Sequence, residues 1–316
     1  MSGLDVNVMM DLRHATLTSG CEDLPPWNDA LLDNYTDAEL VKYVKQSPSL
    51  VTTRQEAVVT LSSNLVAKPV YFDVDYRDEV AALERARAIG IRVPTVRRVV
   101  PADDEEQHYL IMDRVHGSTL EQLWPRLGWW DTFCVARQLR SFLHIMASVT
   151  SQTTGGLHSG QVRSEWLQAL YGPIPNASPS DFAGYLNWWL LECRPYRYKA
   201  RPDLVLNAAR EHILVHQDLA PRNMILDAHK RLWLIDWGRA GFYPAYMEYL
   251  AIEPTAMPWI NARTWVGWWG RVRWSFLRWV ACGAAGPYEK AGRALSTVHD
   301  RSVVFRLDRT PYSMRK

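Results

Sequence analysis

The sequence predicts a two-lobed α+β protein, with a small antiparallel-sheet N-lobe over residues 51–113 and a larger, mainly helical C-lobe over residues 114–316. Three observations carry this reading. Segments of strand character bracket one helix in the order β-β-α-β-β ahead of Arg114. Beyond Gly117 the apolar residues change to three- and four-residue steps. At 316 residues and 47% hydrophobic, the chain is long and apolar enough to build a large core.

Residues 1–50 read as an N-terminal appendage, with a stop at Pro25-Pro26-Trp27 and a helix over Thr36–Lys45 begun by Thr36 or Asp37. Val58-Val59-Thr60-Leu61 and Leu65-Val66-Ala67-Lys68 flank the polar turn Ser62-Ser63-Asn64 and make a hairpin. The next helix runs from Arg77 to Ile89, where Val80, Leu83, Ala86 and Ile89 share a face. Gly90 can cap it in the left-handed region, and Pro94 prevents its continuation. Strands Val96–Val100 and His108–Met112 then enclose an acidic, solvated tip at residues 101–106, and Gly117 marks a hinge.

In the second lobe, Phe133, Ala136, Leu139, Leu143 and Met146 define one helix and Phe182, Tyr185 and Trp189 another. The stretch between them, with Gly155-Gly156, Pro173, Pro175 and Pro179, is irregular. Short strands return at Ile213–Val215, Met224–Leu226 and Arg231–Ile235, the last two joined by the turn Asp227–Lys230. Ala245–Val298 is helical and Trp-rich. Trp265, Trp268, Trp269, Val272, Phe276 and Trp279 fall on one face, expected as a buried stripe, the alternative being the aromatic wall of a ligand pocket.

Composition excludes several classes. Lys plus Arg number 36 and Asp plus Glu 34, so the chain lacks the global positive field of a nucleic-acid binder. Cys21, Cys134, Cys193 and Cys282 lie far apart, which suggests neither a zinc cluster nor a disulfide framework and fits a reducing compartment. MSGLDVNVMMDLRHATL has no apolar core of signal-peptide length, and Arg271, Arg273 and Arg278 interrupt the apolar run from Thr264 to Gly286. The expectation is a cytoplasmic protein with no membrane span.

The chemistry concentrates in His216-Gln217-Asp218-Leu219-Ala220-Pro221-Arg222-Asn223, followed thirteen residues after Asn223 by Asp236 of Ile235-Asp236-Trp237-Gly238. This is H-x-D-x4-N and then D-x-G. A carboxylate such as Asp218 can orient a hydroxyl and accept its proton, while Asn223 and Asp236 offer hard oxygen ligands for magnesium on ATP phosphates. The hairpin between them brings the two ends of the segment to one place.

In these residues the chain resembles the aminoglycoside phosphotransferase and choline kinase superfamily, a branch of the protein-kinase-like fold, and particularly its fungal small-molecule phosphotransferase group. The resemblance implies an ATP- and Mg²⁺-dependent kinase acting on a small-molecule hydroxyl, with Asp218 as catalytic base and Asn223 and Asp236 as metal ligands. Leu65-Val-Ala-Lys68 is similar to the strand whose lysine grips the α and β phosphates. Glu79 is similar to that lysine's ion-pair partner, with Glu84 and Asp78 as neighbouring alternatives. Tyr109-Leu-Ile-Met-Asp-Arg-Val-His-Gly117 resembles the interlobe linker, which implies that Met112 precedes the adenine edge and that the Asp113 carbonyl and Val115 amide meet it.

The chain also departs from that pattern. A glycine-rich G-x-G-x-x-G is absent, leaving the short turn at Ser62-Ser63-Asn64, and Gln217 and Arg222 stand where glycine is usual. An A-P-E element is missing, which argues against a protein kinase. Each short motif is weak alone; their order and spacing carry the reading. Residues Pro254–Lys316 hold eleven Lys or Arg against Glu289, Asp300 and Asp308, which disfavours a polycationic aminoglycoside as acceptor. Arg222 and the short turn motivate the rival reading, a binding or scaffold protein that keeps the fold without turnover.

Overall fold

Alternation of side chains along one strand decides how the N-lobe is layered. The computed structural model describes residues 24–50, 58–70, 76–102, 107–164, 174–191, 205–252 and 265–282. The first helix, α1 (Asp37–Gln46), opens with a capping box in which Thr36 and Glu39 each accept the other's backbone N–H. Strands β1 (Val59–Thr60), β2 (Leu65–Val70), β3 (Val96–Pro101) and β4 (His108–Asp113) form an antiparallel sheet in the order β1-β2-β4-β3. Helix α2 (Tyr76–Ala88) connects β2 to β3.

Every residue of β2 is buried, because both faces of the sheet are covered. Leu65 and Ala67 pack with Leu40, Tyr43 and Val44 of α1, whereas Val66 and Val70 pack with Leu110, Met112 and Val80. Residues 24–50, expected as an appendage, therefore contribute a layer of the N-lobe core. Their amphipathic helix gives no indication of which surface it covers. Pro69 of β2 lies opposite Tyr109 of β4 in this register.

The second lobe continues with β5 (Ser118–Thr119), α3 (Leu120–Leu123), α4 (Trp129–Ala147), β6 (Thr150–Ser151) and α5 (Pro179–Leu191). It goes on through β7 (His212–Val215), β8 (Met224–Leu226), β9 (Leu232–Leu234), β10 (Gly241–Tyr243), α6 (Ala245–Ala251) and α7 (Trp265–Cys282). Two small sheets, β5-β8-β9 and β10-β7-β6, sit among these helices. Ala82, Leu83 and Ala86 of α2 belong to the same core as Leu139, Leu214 and Leu234, so α2 joins the lobes by packing. Gly117, expected as a hinge, has φ of +156°, and a Cβ there would lie 2.7 Å from the Ile225 side chain. Its missing side chain lets the linker lie directly on β8.

The expected buried stripe of α7 is displaced. Trp274, Leu277 and Ala281 face the core, while Phe276 is only partly buried and Trp279 is 61% exposed. Trp274 meets Trp124 edge-on at 5.4 Å, and Arg273 donates to the Trp124 and Leu127 carbonyls from the packed side. The partly buried Arg273 side chain thus takes part of the helix face that hydrophobicity alone assigns to the surface. The side chains of Trp265, Trp268 and Trp269, the acidic tip at 103–106 and most of the basic C-terminal stretch lie outside the described residues. No helix among the described residues is long and apolar enough to cross a membrane.

Candidate functional site

Lys68 shares the face of β2 turned toward α2, and its Nζ reaches both lobes. It donates to Glu79 Oε1 and Oε2 at 2.8 and 3.0 Å and to Asp236 Oδ1 at 2.6 Å. Glu79 lies in the first turn of α2, where a carboxylate is favoured by the unpaired N–H groups. Of the three acids near this position, Glu79 holds the lysine. Asp78 instead accepts from the backbone N–H groups of His158 and Ser159, and Glu84 is exposed.

Opposite Lys68, β7 delivers the H-x-D segment. His216 is fully buried; its Nε2 lies 3.0 Å from the Ile235 carbonyl, its ring meets Trp237 edge-on, and its Nδ1 receives the Asp218 N–H at 3.2 Å. Burial pushes the imidazole below its ordinary pKa and favours the neutral form that can accept at Nδ1 and donate at Nε2. Gln217 has φ of +65°, a conformation that suits glycine. Its amide compensates by donating to the Arg163 and Arg239 carbonyls, each at 2.9 Å.

Asp218 follows, with both carboxylate oxygens 2.7 Å from Arg222 Nη2 and Oδ2 3.7 Å from Arg239 Nη1. Asn223 closes the 3-10 turn Pro221–Asn223. Its Nδ2 donates to the Asp218 carbonyl at 3.0 Å, which leaves Oδ1 as the end that can meet a cation. The Asn223 carbonyl accepts the Ile235 N–H at 3.0 Å, and pairing of β8 with β9 extends this contact, so Asp236 is carried to the side of Asn223. Asp236 itself takes φ of +65°.

Burial acts to raise the Asp236 carboxyl, but Lys68, by its charge and its hydrogen bond, and Arg239 outweigh it and hold the group well below the usual carboxylate range. An ionised carboxylate beside an amide oxygen is a donor set suited to magnesium, which usually takes one or two protein oxygens and fills the rest of its shell with phosphate and water. Asn223 and Asp236 are thus the residues able to hold such an ion.

The linker residues are placed along the rim. Met112 is buried against Val66, Val70 and Leu110. The Asp113 N–H donates to the Thr95 carbonyl and its carboxylate takes Arg97, while Val115 is partly buried. The Ser62–Asn64 turn is stiffened without glycine: Ser62 Oγ accepts from the Asn64 and Leu65 amides, and the Asn64 carbonyl accepts the Arg114 N–H at 2.7 Å.

Two participants were not evident from the sequence. Glu248 of α6 is buried beneath the H-x-D loop, and its Oε2 accepts the His216 and Gln217 backbone N–H groups at 2.6 and 3.3 Å. Burial pushes its carboxyl up to about 8 even though those bonds oppose the shift. Arg239, just past Asp-Trp-Gly, brings a second cation toward Asp218. Neither lies in a spacing that names a role; Glu248 comes from the helix after the motif and meets it only through backbone atoms.

Comparison with known proteins gives one family. Residues 48–270 match the model described as the phosphotransferase enzyme family, APH. The solved structure of aminoglycoside phosphotransferase APH(4)-Ia is 15% identical and aligns over 85% of this chain and 91% of its own, with a TM-score of 0.55. The GDP complex of wild-type aminoglycoside 2'-phosphotransferase-IIIa is 12% identical over 83% of this chain and 87% of its own, at 0.50. A GDP and kanamycin complex of APH(2")-IIia gives 12% identity, 83% and 88% coverage and 0.50. At these identities the likeness is one of fold. No curated protein matches by sequence.

Proposed function

We propose, from the premise that this chain belongs to the phosphotransferase enzyme family, that it transfers the γ-phosphoryl group of Mg-ATP to a hydroxyl of a small molecule. The observation that carries this is the position of Lys68 Nζ, which joins Glu79 of one lobe to Asp236 of the other. In this reading Lys68 neutralises the α and β phosphates and Glu79 keeps it aimed. Asn223 and Asp236 hold magnesium, which when bound offsets phosphate charge. Asp218 orients the acceptor hydroxyl and takes its proton. The Asp113 carbonyl and Val115 amide, just past Met112, meet the adenine edge.

The acceptor we propose is neutral or anionic. A polycationic aminoglycoside needs acidic surroundings, and the chain from Pro254 onward carries eleven Lys or Arg against three acids. The cysteine spacing accords with a reducing, cytoplasmic setting. Arg222 on Asp218 supports a second reading, nucleotide binding without transfer.

Calorimetric titration with ATP, with and without Mg²⁺, tests the assignment. The reading expects Mg²⁺-dependent binding that weakens about tenfold or more in Asp236→Ala and is retained in Asp218→Asn, because the first alone removes a metal ligand. Equal losses in the two variants contradict the roles assigned. Turnover of a screened hydroxyl acceptor by wild type, but not by Asp218→Asn, separates transfer from mere binding.

A further inference from the structure

Asp78 and Glu79 are consecutive in the first turn of α2 and serve different partners. Glu79 holds Lys68. Asp78, only 2% exposed, accepts the backbone N–H groups of His158 and Ser159 at 2.7 and 2.8 Å and the Ser159 hydroxyl at 2.5 Å. Arg163 Nη1 lies 3.2 Å from Oδ2, the oxygen that also takes the Ser159 hydroxyl. All of these partners belong to residues 154–163, a C-lobe segment between β6 and α5.

The far side of that segment is fastened to the floor of the site. Gly155 exchanges both backbone hydrogen bonds with Phe242 of β10, at 3.1 and 2.9 Å. The Arg163 carbonyl accepts Gln217 Nε2, and the Tyr243 hydroxyl accepts the Arg163 N–H at 2.9 Å while also lying 3.1 Å from the Arg163 carbonyl. Packing leaves little slack: a Cβ on Gly156 would stand 2.5 Å from the Asp78 carboxylate. A carboxylate this deeply buried depends on its donors, so the start of α2 and the segment separate only at a high desolvation cost.

We propose that residues 154–163 form an interlobe brace, with Asp78 the positioning residue through which the brace fixes α2, and with it Glu79 and Lys68, over the Asp218–Asp236 floor. Its effect on nucleotide rests on the phosphotransferase reading above; the mechanical coupling does not. The brace runs from the helix that carries Glu79, through a single loop, to Gln217 of the H-x-D segment and to the strand that follows Asp-Trp-Gly.

Hydrogen exchange on the full chain without ligand tests the coupling, using wild type, Asp78→Asn, Ser159→Ala and, as a surface control, Glu84→Gln. Asp78→Asn turns one acceptor into a donor facing donors, and Ser159→Ala removes one hydroxyl. The expected result is exchange faster by about tenfold in Asp78→Asn over residues 76–88 and 216–223 as well as 154–163, with a smaller rise of the same pattern in Ser159→Ala and none in the control. If Asp78→Asn does not fold, Ser159→Ala decides by the same peptides. Faster exchange confined to 154–163 overturns the brace. Titration with Mg²⁺ and a non-hydrolysable ATP analogue is then expected to show affinity about tenfold weaker in Asp78→Asn, although Asp78 lies in no assigned nucleotide contact. Unchanged affinity in a variant whose α2 exchange is also unchanged overturns the brace too. Coupled exchange in a wild-type protein that binds no nucleotide supports the brace and removes the phosphotransferase reading.

Discussion

One guanidinium nitrogen of Arg222 lies 2.7 Å from each carboxylate oxygen of Asp218, four residues earlier on the same loop. The 3-10 turn Pro221–Asn223 folds position 222 back over position 218, so the Arg222 side chain lands on the acid. The Arg222 side chain is 46% exposed, and such partly solvated pairs are worth about 1 kcal/mol or less. If the chain transfers phosphoryl groups as proposed, that is weak enough for an acceptor hydroxyl to displace one of the two contacts, and Arg222 then orients Asp218 without sealing it.

Replacing Arg222 by alanine is expected to lower phosphoryl transfer by up to about fivefold with nucleotide affinity unchanged, since it removes an orienting contact of about 1 kcal/mol and no phosphate ligand. Steady-state rates with a screened acceptor, set beside calorimetric affinities, check this. A faster variant identifies Arg222 as a latch on the acid instead.

Lys68→Met leaves Glu79 and Asp236 without their shared cation, and losing one partner of a buried ion pair costs about 3 kcal/mol. The pH dependence has a definite sign. The Asp236 carboxyl is depressed in the folded protein, so the stability it contributes is present above its unfolded pKa of about 4 and is lost as pH falls through the folded value. Urea denaturation is expected to show wild type more stable than Lys68→Met at pH 7, with the gap narrowing as the medium is acidified below about pH 4. A gap independent of pH removes the Lys68–Asp236 contact from the explanation.

Much of the site was legible because its residues lie on elements whose geometry follows from local pattern. Lys68 sits two residues from Val66 and from Val70 on a strand, so the period of two puts it on their face. Asn223 and Asp236 flank a hairpin whose turn at Asp227–Lys230 reads directly from the sequence. Glu79 and Asp78 stayed alternatives, because adjacent helical residues differ by 100° in direction and local pattern does not say which direction faces the strand. The layer made by α1, the core-facing side of α7 and the Glu248 bonds all depend on contacts between segments far apart in the chain. In α7 the stem of Arg273 occupies packed space, which a count of apolar residues assigns elsewhere.

Glu248 makes stability depend on pH in the opposite sense from Asp236. Its carboxyl is raised to about 8 in the folded protein from an ordinary 4.5, so the folded state binds the extra proton between those values. The stability that Glu248 contributes is then greatest below about pH 4.5 and declines as pH rises toward 8, by an amount on the order of a few kcal/mol. Glu248→Gln carries no titrating group and keeps an oxygen for the His216 N–H. The difference in unfolding free energy, wild type minus variant, is expected to fall steadily from pH 5 to pH 8 in chemical denaturation. A flat difference means Glu248 is ionised throughout and is paid for by the two backbone donors.

Gln217 separates backbone strain from hydrogen bonding at the centre of the site. Its left-handed φ of +65° costs a non-glycine residue about 1 kcal/mol, while its amide makes two bonds, to the Arg163 and Arg239 carbonyls, worth about 1 kcal/mol each. Gln217→Gly loses the bonds and relieves the strain, so a net loss of about 1 kcal/mol is expected. Gln217→Ala loses the same bonds and keeps the strain, for a loss of about 2 kcal/mol. Thermal or urea unfolding of the pair reads the strain as the glycine variant's advantage over alanine. Equal stabilities refute a strained loop. If the glycine variant exceeds wild type, the two amide bonds are worth less than the strain they accompany.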